Sequence, residues 1–372
     1  MKDKPMQAMI YRAAGGLDVI RAADLPTPDV GPQDVRVRVV AAALNHLDLW
    51  TRRGMPGIPP RFPHVSGSDV AGVIDEVGSD VQGWQTGDRV VVNPTLSCGQ
   101  CEWCQRGQDP LCNRFMVLGE HCWGGFAEQL VVPAANLERV PDDFPLIEAA
   151  AAPLAYATAW RMLISRAKLR PGETVLVVGA GGGVNSAAIQ IAALAGCEVW
   201  ATTSTPEKVA LAHALGASWV VNYREEPNWS KAVYLHSAKR GVDVIVDNVG
   251  AATWPASIRT LAKGGRLINV GATTGHAVEI DIRQIFWKQI QLIGSTMSTR
   301  SEFHEVMRLV WQRKLKPVID RVLPLSELRE AHRIMEEGEQ FGKIVLNVGN
   351  GENAANAHNA GNAEYPQSPP NS

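Results

Sequence analysis

The chain has no run approaching the ~20 consecutive apolar residues that a membrane helix requires. It also lacks an excess of either charge: 36 Lys and Arg oppose 38 Asp and Glu, a formal net charge of -2. The first absence argues against a membrane span, and the second against nucleic acid or an anionic membrane surface as partner. Met1 to Gln7 is charged and polar, without the apolar stretch of a signal peptide. Six cysteines, four of them clustered, suit a metal site in a reducing compartment better than a disulfide framework. The expectation is a soluble cytoplasmic protein. Its 372 residues, 45% hydrophobic, predict about two domains.

Residues 1 to about 150 read as short strands broken by Gly and Pro. Val35 to Val40 alternates apolar and charged side chains, the period of a half-buried strand. Val70 to Val77 and Arg89 to Val92 repeat the pattern, with Gly78, Gly83 and Gly87 between them. From Ala149 the texture changes: an Ala-rich helix is expected over 149–164, followed by the continuous apolar strand Thr174 to Val178. Strands over 198–202, 219–221, 242–247 and 266–270 then alternate with helices over 184–195, 206–215 and one running through 261. Such alternation predicts an α/β fold of βαβ units with a doubly wound parallel sheet. Short strands return from about Pro317, ending with 344–348. The expected division is a β domain over 1–155 and 315–348, with a cysteine lobe at 95–115, and a cofactor domain over 156–314. The tail 349–372, rich in Asn, Ala, Gly and Pro, is expected to be disordered.

Gly179-Ala180-Gly181-Gly182-Gly183-Val184 follows a strand and opens a helix. There, glycines let backbone N–H groups approach a pyrophosphate, and the helix N-terminus offers it partial positive charge. Asn185 stands where a third motif glycine is usual. At the end of the next strand an NAD site places an acid for the ribose hydroxyl. This chain has Thr203 and Ser204 instead, with Lys208 one helical turn on, which points to NADP(H). Glu207 also fits an ordinary first-turn acid, with Lys208 merely solvated.

Cys98, Cys101, Cys104 and Cys112 form C-x2-C-x2-C-x7-C. Four thiolates close a tetrahedral zinc shell and leave no open position, so the metal would be structural. Local disulfides or an iron–sulfur cluster are the other readings of this spacing. Cys122 and Cys197 fall outside the cluster, and Cys197 reads as a buried apolar filler.

These features, with Gly67-Ser68-Asp69-Val70-Ala71-Gly72, Gly87-Asp88-Arg89-Val90, Gly124-Gly125-Phe126-Ala127-Glu128, Asp247-Asn248-Val249-Gly250 and Phe341-Gly342-Lys343-Ile344 in that order, resemble the medium-chain dehydrogenase/reductase superfamily. The resemblance spans about Gln7 to Val348. It implies a GroES-like substrate domain, a Rossmann domain, a cleft between them, and dimers or tetramers. The family's catalytic zinc ligands fall here on Asn45, Ser68 (with Asp69 after it) and Leu154, a set that does not hold zinc. The Asn45-His46-Leu47-Asp48-Leu49-Trp50 segment resembles zinc-free quinone oxidoreductases and enoyl reductases. That implies an NADPH-dependent reductase of quinones, enals or enoyl thioesters with one structural zinc.

Carried over residue by residue, the resemblance implies that Asn45 and Asp48 line the nicotinamide end, with Trp50 as an apolar wall. Gly179, Gly181, Gly182, Gly183, Val184, Thr203, Ser204, Lys208, Asn248, Gly271 and Lys343 would contact the cofactor. Asn45 equally suits capping a helix that starts near His46, and Lys343 equally suits an edge-strand cation. His46 and Tyr156 are the candidate proton donors, with His64, His121 and Trp123 on loops nearby. Arg52, Arg53 and Arg61 suit either an acyl-CoA phosphate or plain solvation. The rival reading is a zinc alcohol dehydrogenase with an atypical catalytic metal bound by His46, His64 and Asp69; a protein that binds NADPH without turnover is the third.

Overall fold

The computed structural model describes residues 5–55 and 61–349; the expected disordered tail lies outside the described residues from 350 on. In the first unit, Asp34–Ala43 occupies the middle of a seven-stranded sheet, antiparallel to Asp69–Val77 and to Lys343–Asn347. Val35, Val37 and Val39 are buried while Arg36 bonds the Asp75 carboxylate at 2.9 Å, as the alternation requires. Beyond Val40 both faces are covered. Ala42 and Leu44 join the β core, whereas Ala41 and Ala43 pack against the helical stretch that begins at Ala149. Lys343–Asn347 is flanked by Ile319–Pro324, so it is an inner strand and the edge-strand reading of Lys343 falls.

The second unit is a six-stranded parallel sheet. Its order is Trp219–Asn222, Glu198–Thr203, Thr174–Val178, Val242–Asp247, Leu261–Asn269, Gln291–Gly294. The order reverses beside Thr174–Val178, the doubly wound switch point at which open α/β sheets bind ligands. Val178 is in register with Thr202 on one side and Asp247 on the other, so three strand ends open into one crevice.

The single helix expected over 149–164 is broken. Leu146–Ala150 and Pro153–Trp160 are separate helices, and a π-helical segment, Arg161–Arg166, follows. Proline has no N–H for the helix ladder, and the Leu154 N–H is drawn to Asp69 Oδ1 at 2.6 Å. The expected domain boundary at 155/156 therefore lies inside a helix. The helices Trp229–His236, Arg300–Trp311 and Leu328–Glu337 were not anticipated.

Leu328–Glu337 holds the His46–Arg53 helix through Arg52, which is 1% exposed. Arg52 donates to His332 Nδ1 at 3.2 Å and, with Arg53, pairs with Glu336. Two of the three arginines offered for a phosphate are thus committed to the fold, while Arg61 is exposed. Burial, then the charges of Arg52 and Arg53, lowers the His332 pKa from 6.5 to about 3. The unfolded chain protonates this histidine below 6.5 and the folded chain does not until about 3. Stability is therefore complete above 6.5 and lost as pH falls through that window, at about 1.4 kcal/mol per unit. Denaturant melts between pH 7 and 4 should show this slope, and His332→Gln should flatten it.

Candidate active site and cysteine lobe

One cleft of about 650 Å³ between the two units collects all eleven residues expected to contact the cofactor. Gly179 has φ +82°, the left-handed region that favours glycine. Its N–H and that of Ala180 donate to the Thr202 carbonyl, at 3.1 and 2.9 Å. Asn185, in place of the third glycine, is buried and ties the turn together. Its Nδ2 donates to the carbonyls of Val178 and Gly179, both at 2.8 Å, and its Oδ1 accepts from Asn248 Nδ2 at 2.8 Å. Asn248 Oδ1 in turn accepts the Val270 N–H at 2.8 Å. A side chain thus does the fixing that close glycine packing would otherwise do.

At the other end lie Thr203, Ser204, Lys208 and Tyr223. Tyr223 was not anticipated; its N–H donates to the Thr203 carbonyl at 2.9 Å, which brings the ends of two adjacent strands together. Burial lowers the Lys208 pKa, Asp320 opposes this, and the nearby positive charge of Arg224 adds to the lowering. No acid of the strand end faces this group; Glu207 is fully exposed.

Asn45, Asp69 and Lys343 meet in the middle. The Lys343 ammonium donates to Asn45 Oδ1 at 2.5 Å and to Asp69 Oδ2 at 2.7 Å, and Asn45 Nδ2 donates to Asp69 Oδ2 at 2.9 Å. Asp69 is fully buried and Lys343 is 2% exposed. Ser68 turns away, its hydroxyl donating to the Leu118 carbonyl at 2.7 Å. The Leu154 side chain joins Leu47, Phe115, Val117 and Met297 in the cleft's apolar wall. Two of the three positions that would ligate a catalytic zinc are therefore turned elsewhere or apolar, and Asn45 is bound to an ammonium. Among the described residues, the four lobe cysteines are the one set of three or more His, Cys, Asp or Glu side chains close enough to share an ion. His64, His46 and Asp69 do not form such a set: His64 Nε2 lies 2.9 Å from the Gly119 carbonyl.

His46 lines the cleft with its ring edge-on to Trp50, and burial followed by the charge of Arg53 lowers its pKa. Trp50 also borders a second cavity of about 640 Å³ lined by Arg53, Met55, His276 and Ser295. Asp48 does not reach the cleft. It caps the His46–Arg53 helix by accepting the Asn45 N–H at 2.7 Å, and it accepts from Ser66 Oγ at 2.5 Å and the Gly67 N–H at 3.1 Å. Burial outweighs these donors and raises its pKa to about 6. Tyr156 is also away from the cleft, its hydroxyl donating to the Lys316 carbonyl at 2.5 Å and accepting from Gln190 at 2.9 Å. Of the loop residues, His121 lines the cleft, whereas Trp123 donates to the Pro63 carbonyl. Glu120 beside it went unnoticed in the sequence; it is buried against the cleft, and burial, then the charge of Asp48, pushes its pKa up to about 7.

The sulfurs of Cys98, Cys101, Cys104 and Cys112 lie within 4.8 Å of one another, with 3.9 Å between Cys98 and Cys104 and 3.5 Å between Cys101 and Cys104. A zinc tetrahedron with bonds of about 2.3 Å has sulfur–sulfur edges of about 3.8 Å, so the set fits that ion. The N–H groups of Gln100 and Cys101 point at Cys98 Sγ and lower its pKa to about 6. The lobe also touches the second unit: Asp109 accepts the Arg300 N–H at 2.9 Å, and Gln108 accepts from Arg161 at 3.1 Å.

A Rossmann sheet with a glycine turn, facing a GroES-like β domain across a cleft, defines a nucleotide-dependent oxidoreductase of two domains. Residues 31–142 match the alcohol dehydrogenase GroES-like domain and residues 183–312 the zinc-binding dehydrogenase family; the chain belongs to the medium-chain dehydrogenase/reductase superfamily. A crystal structure of an NAD-dependent alcohol dehydrogenase is 46% identical, with a TM-score of 0.89, covering 92% of this chain and 100% of that one. The human quinone oxidoreductase is 31% identical over 92% of this chain and 98% of its own. The acryloyl-coenzyme A reductase of Sulfurisphaera tokodaii is 29% identical over 87% of this chain and 95% of its own. No helix among the described residues is long and apolar enough to cross a membrane.

Proposed function

We propose that this chain is an NADPH-dependent reductase of conjugated carbonyl compounds, such as quinones, enals or enoyl thioesters, with one structural zinc held by the four cysteines. The observation that carries this reading is the Lys343–Asn45–Asp69 cluster, which puts an ammonium and an amide N–H where relatives of this architecture place a Lewis acid. With its pyrophosphate at the Gly179–Gly183 turn, a bound reduced nicotinamide dinucleotide would supply a hydride to the substrate's β-carbon. Asp69 orients both Asn45 and Lys343, which line the cleft, and the N–H bonds they do not give to one another or to Asp69 are the donors for the oxygen on which enolate charge develops. The wall of Leu47, Phe115, Val117, Leu154 and Met297 keeps water from that oxygen and strengthens each contact.

Ser204, Lys208, Tyr223 and the Arg224 charge support a 2′-phosphate, whose negative charge relieves the repulsion between the two cations. Lys208→Ala should raise KM for NADPH by roughly 10–100-fold, the worth of one charge-assisted hydrogen bond. The constant for NADH should hardly move, and an equal rise for both cofactors would sink the phosphate assignment.

The 46% identical structure named as an NAD-dependent alcohol dehydrogenase favours a second reading, alcohol oxidation with an atypical metal. Oxidation of NADPH and NADH by quinones, enals and enoyl-CoA esters with the products identified as C=C- or C=O-reduced, and reduction of NADP+ and NAD+ by alcohols, with zinc counted on the same sample, separate the two. The first reading expects NADPH turnover with at least one of these classes and one zinc per chain. Turnover confined to alcohols, with two zincs per chain and loss on chelation, supports the second.

A homodimer or homotetramer is part of the proposal. Ile282, Phe286 and Trp287 on the Ile282–Lys288 helix are 70%, 58% and 76% exposed, next to the edge strand Gln291–Gly294. Apolar side chains beside an unpaired strand edge suit a second copy of the chain.

A further inference from the structure

Hydride addition leaves an enolate that needs a proton, and neither Tyr156 nor Asp48 reaches the cleft to give one. The turn from Val117 to Cys122 does. It is locked from several sides: the N–H groups of Glu120 and His121 both donate to the Val117 carbonyl, at 3.2 and 3.0 Å, and the Gly119 N–H donates to Cys122 O at 3.1 Å. Gly119 has φ +79° and packs so closely on Gly67 that a Cβ would come within 2.7 Å of its backbone. The Val117 N–H also donates to His121 Nδ1 at 3.1 Å, so that nitrogen presents a lone pair and the ring proton sits on Nε2.

Glu120 Oε2 lies 3.2 Å from the same Nδ1. An ionised carboxylate there would set two lone pairs against each other in a buried place. The one lone pair of Nδ1 already accepts the Val117 N–H and offers Glu120 nothing, so the neutral carboxyl, with less charge on its oxygens, suits this place better than the carboxylate. The charged and titratable groups near Glu120 are His121 and Cys122 on its own turn, His64 at the Gly119 carbonyl and Asp48 behind Gly67, while His46 and Lys343 line the same cleft. Burial and the negative charge of Asp48 both favour the neutral acid.

We propose that Glu120, buried in the cleft wall with Oε2 beside the occupied lone pair of His121 and so held as the neutral acid, delivers the proton to the α-carbon of the enolate, with His121 as a positioning residue. This rests on the conjugated-carbonyl reading above. In the step, the enolate's electron pair forms the new Cα–H bond as the Glu120 O–H bond breaks, and the carbonyl re-forms. The substrate has then gained the hydride and one proton, and the carboxylate recovers its proton from water. Glu120 is active as the acid, so the rate should fall as pH rises past about 7.

The test uses the full-length chain with zinc retained. Reduction of an enal in deuterium oxide by wild type should place deuterium at the α-carbon in one configuration. Glu120→Gln should lower kcat by roughly 10²-fold or more, lose the fall with pH and give both configurations, with KM little changed. Glu120→Asp keeps the acid and should recover part of the rate and selectivity, which separates chemistry from misfolding. If Glu120→Gln matches wild type in rate, pH profile and configuration, the assignment is overturned while the reductase reading stands. If wild type reduces nothing in the panel, the reductase reading fails. The carboxyl–imidazole contact is then tested alone: the His121 Nδ1 resonance should shift near pH 7 in wild type and not in Glu120→Gln.

Discussion

Lys343→Met is expected to abolish most activity and to destabilise the fold, because it leaves the Asp69 carboxylate fully buried with only the Asn45 amide and the Leu154 N–H to answer it. Removing one partner of a buried ion pair costs about 3–5 kcal/mol. Loss of a fixed donor to a developing oxyanion lowers kcat by roughly 10²–10³-fold. The two effects are separable. Asp69→Asn in the same chain removes the stranded charge, so the double variant should recover most of the thermal stability while kcat stays low. Recovery of both would reduce Lys343 to a structural counter-ion.

Cys112→Ser should empty the cysteine lobe, and the expected loss is larger than a short loop suggests. Zinc held by four thiolates contributes folding energy outright, and the lobe braces the Arg300–Trp311 helix through Asp109 and Arg161 through Gln108. Loss of several kcal/mol at about 2–4 °C per kcal/mol lowers Tm on the order of 10 °C. Phe115 and Val117, just past Cys112, line the substrate end of the cleft, so KM should rise as well. Metal analysis, calorimetry and steady-state kinetics on the variant check all three. Zinc-free protein with unchanged Tm and KM would reject both the bracing and the wall.

The glycine turn and the cysteine cluster were legible because each is a contiguous pattern whose spacing is its chemistry. Strands such as Arg89–Val92 and Val242–Asp247 were legible for the same reason, their apolar periods being local. What failed depended on distant partners. The helix over 149–164 breaks where Asp69 takes the Leu154 N–H. Asp48 sits three positions from Asn45, which invited a shared role, yet its carboxylate turns back to Ser66 and Gly67. Glu120 gave one faint signal, an acid beside a histidine inside an otherwise apolar stretch. Only the fold shows that this turn lies on Gly67 and faces the cleft.

Lys343 starts and finishes in the GroES-like domain but passes against the Rossmann domain on the way. Its backbone is an inner strand of the GroES-like sheet, its aliphatic stem lies over Gly183 of the Rossmann turn, where a Cβ would come within 2.9 Å of Cδ, and its ammonium reaches Asn45 and Asp69. The side chain therefore works as a gauge of the gap between the domains. If the domains part, the stem loses Gly183 and the charge cluster its rigid support; if they close, the groove for the pyrophosphate and the donors for the substrate oxygen take their final positions together. Occupancy of one end of the cleft and polarising power at the other are coupled through the length of a single side chain.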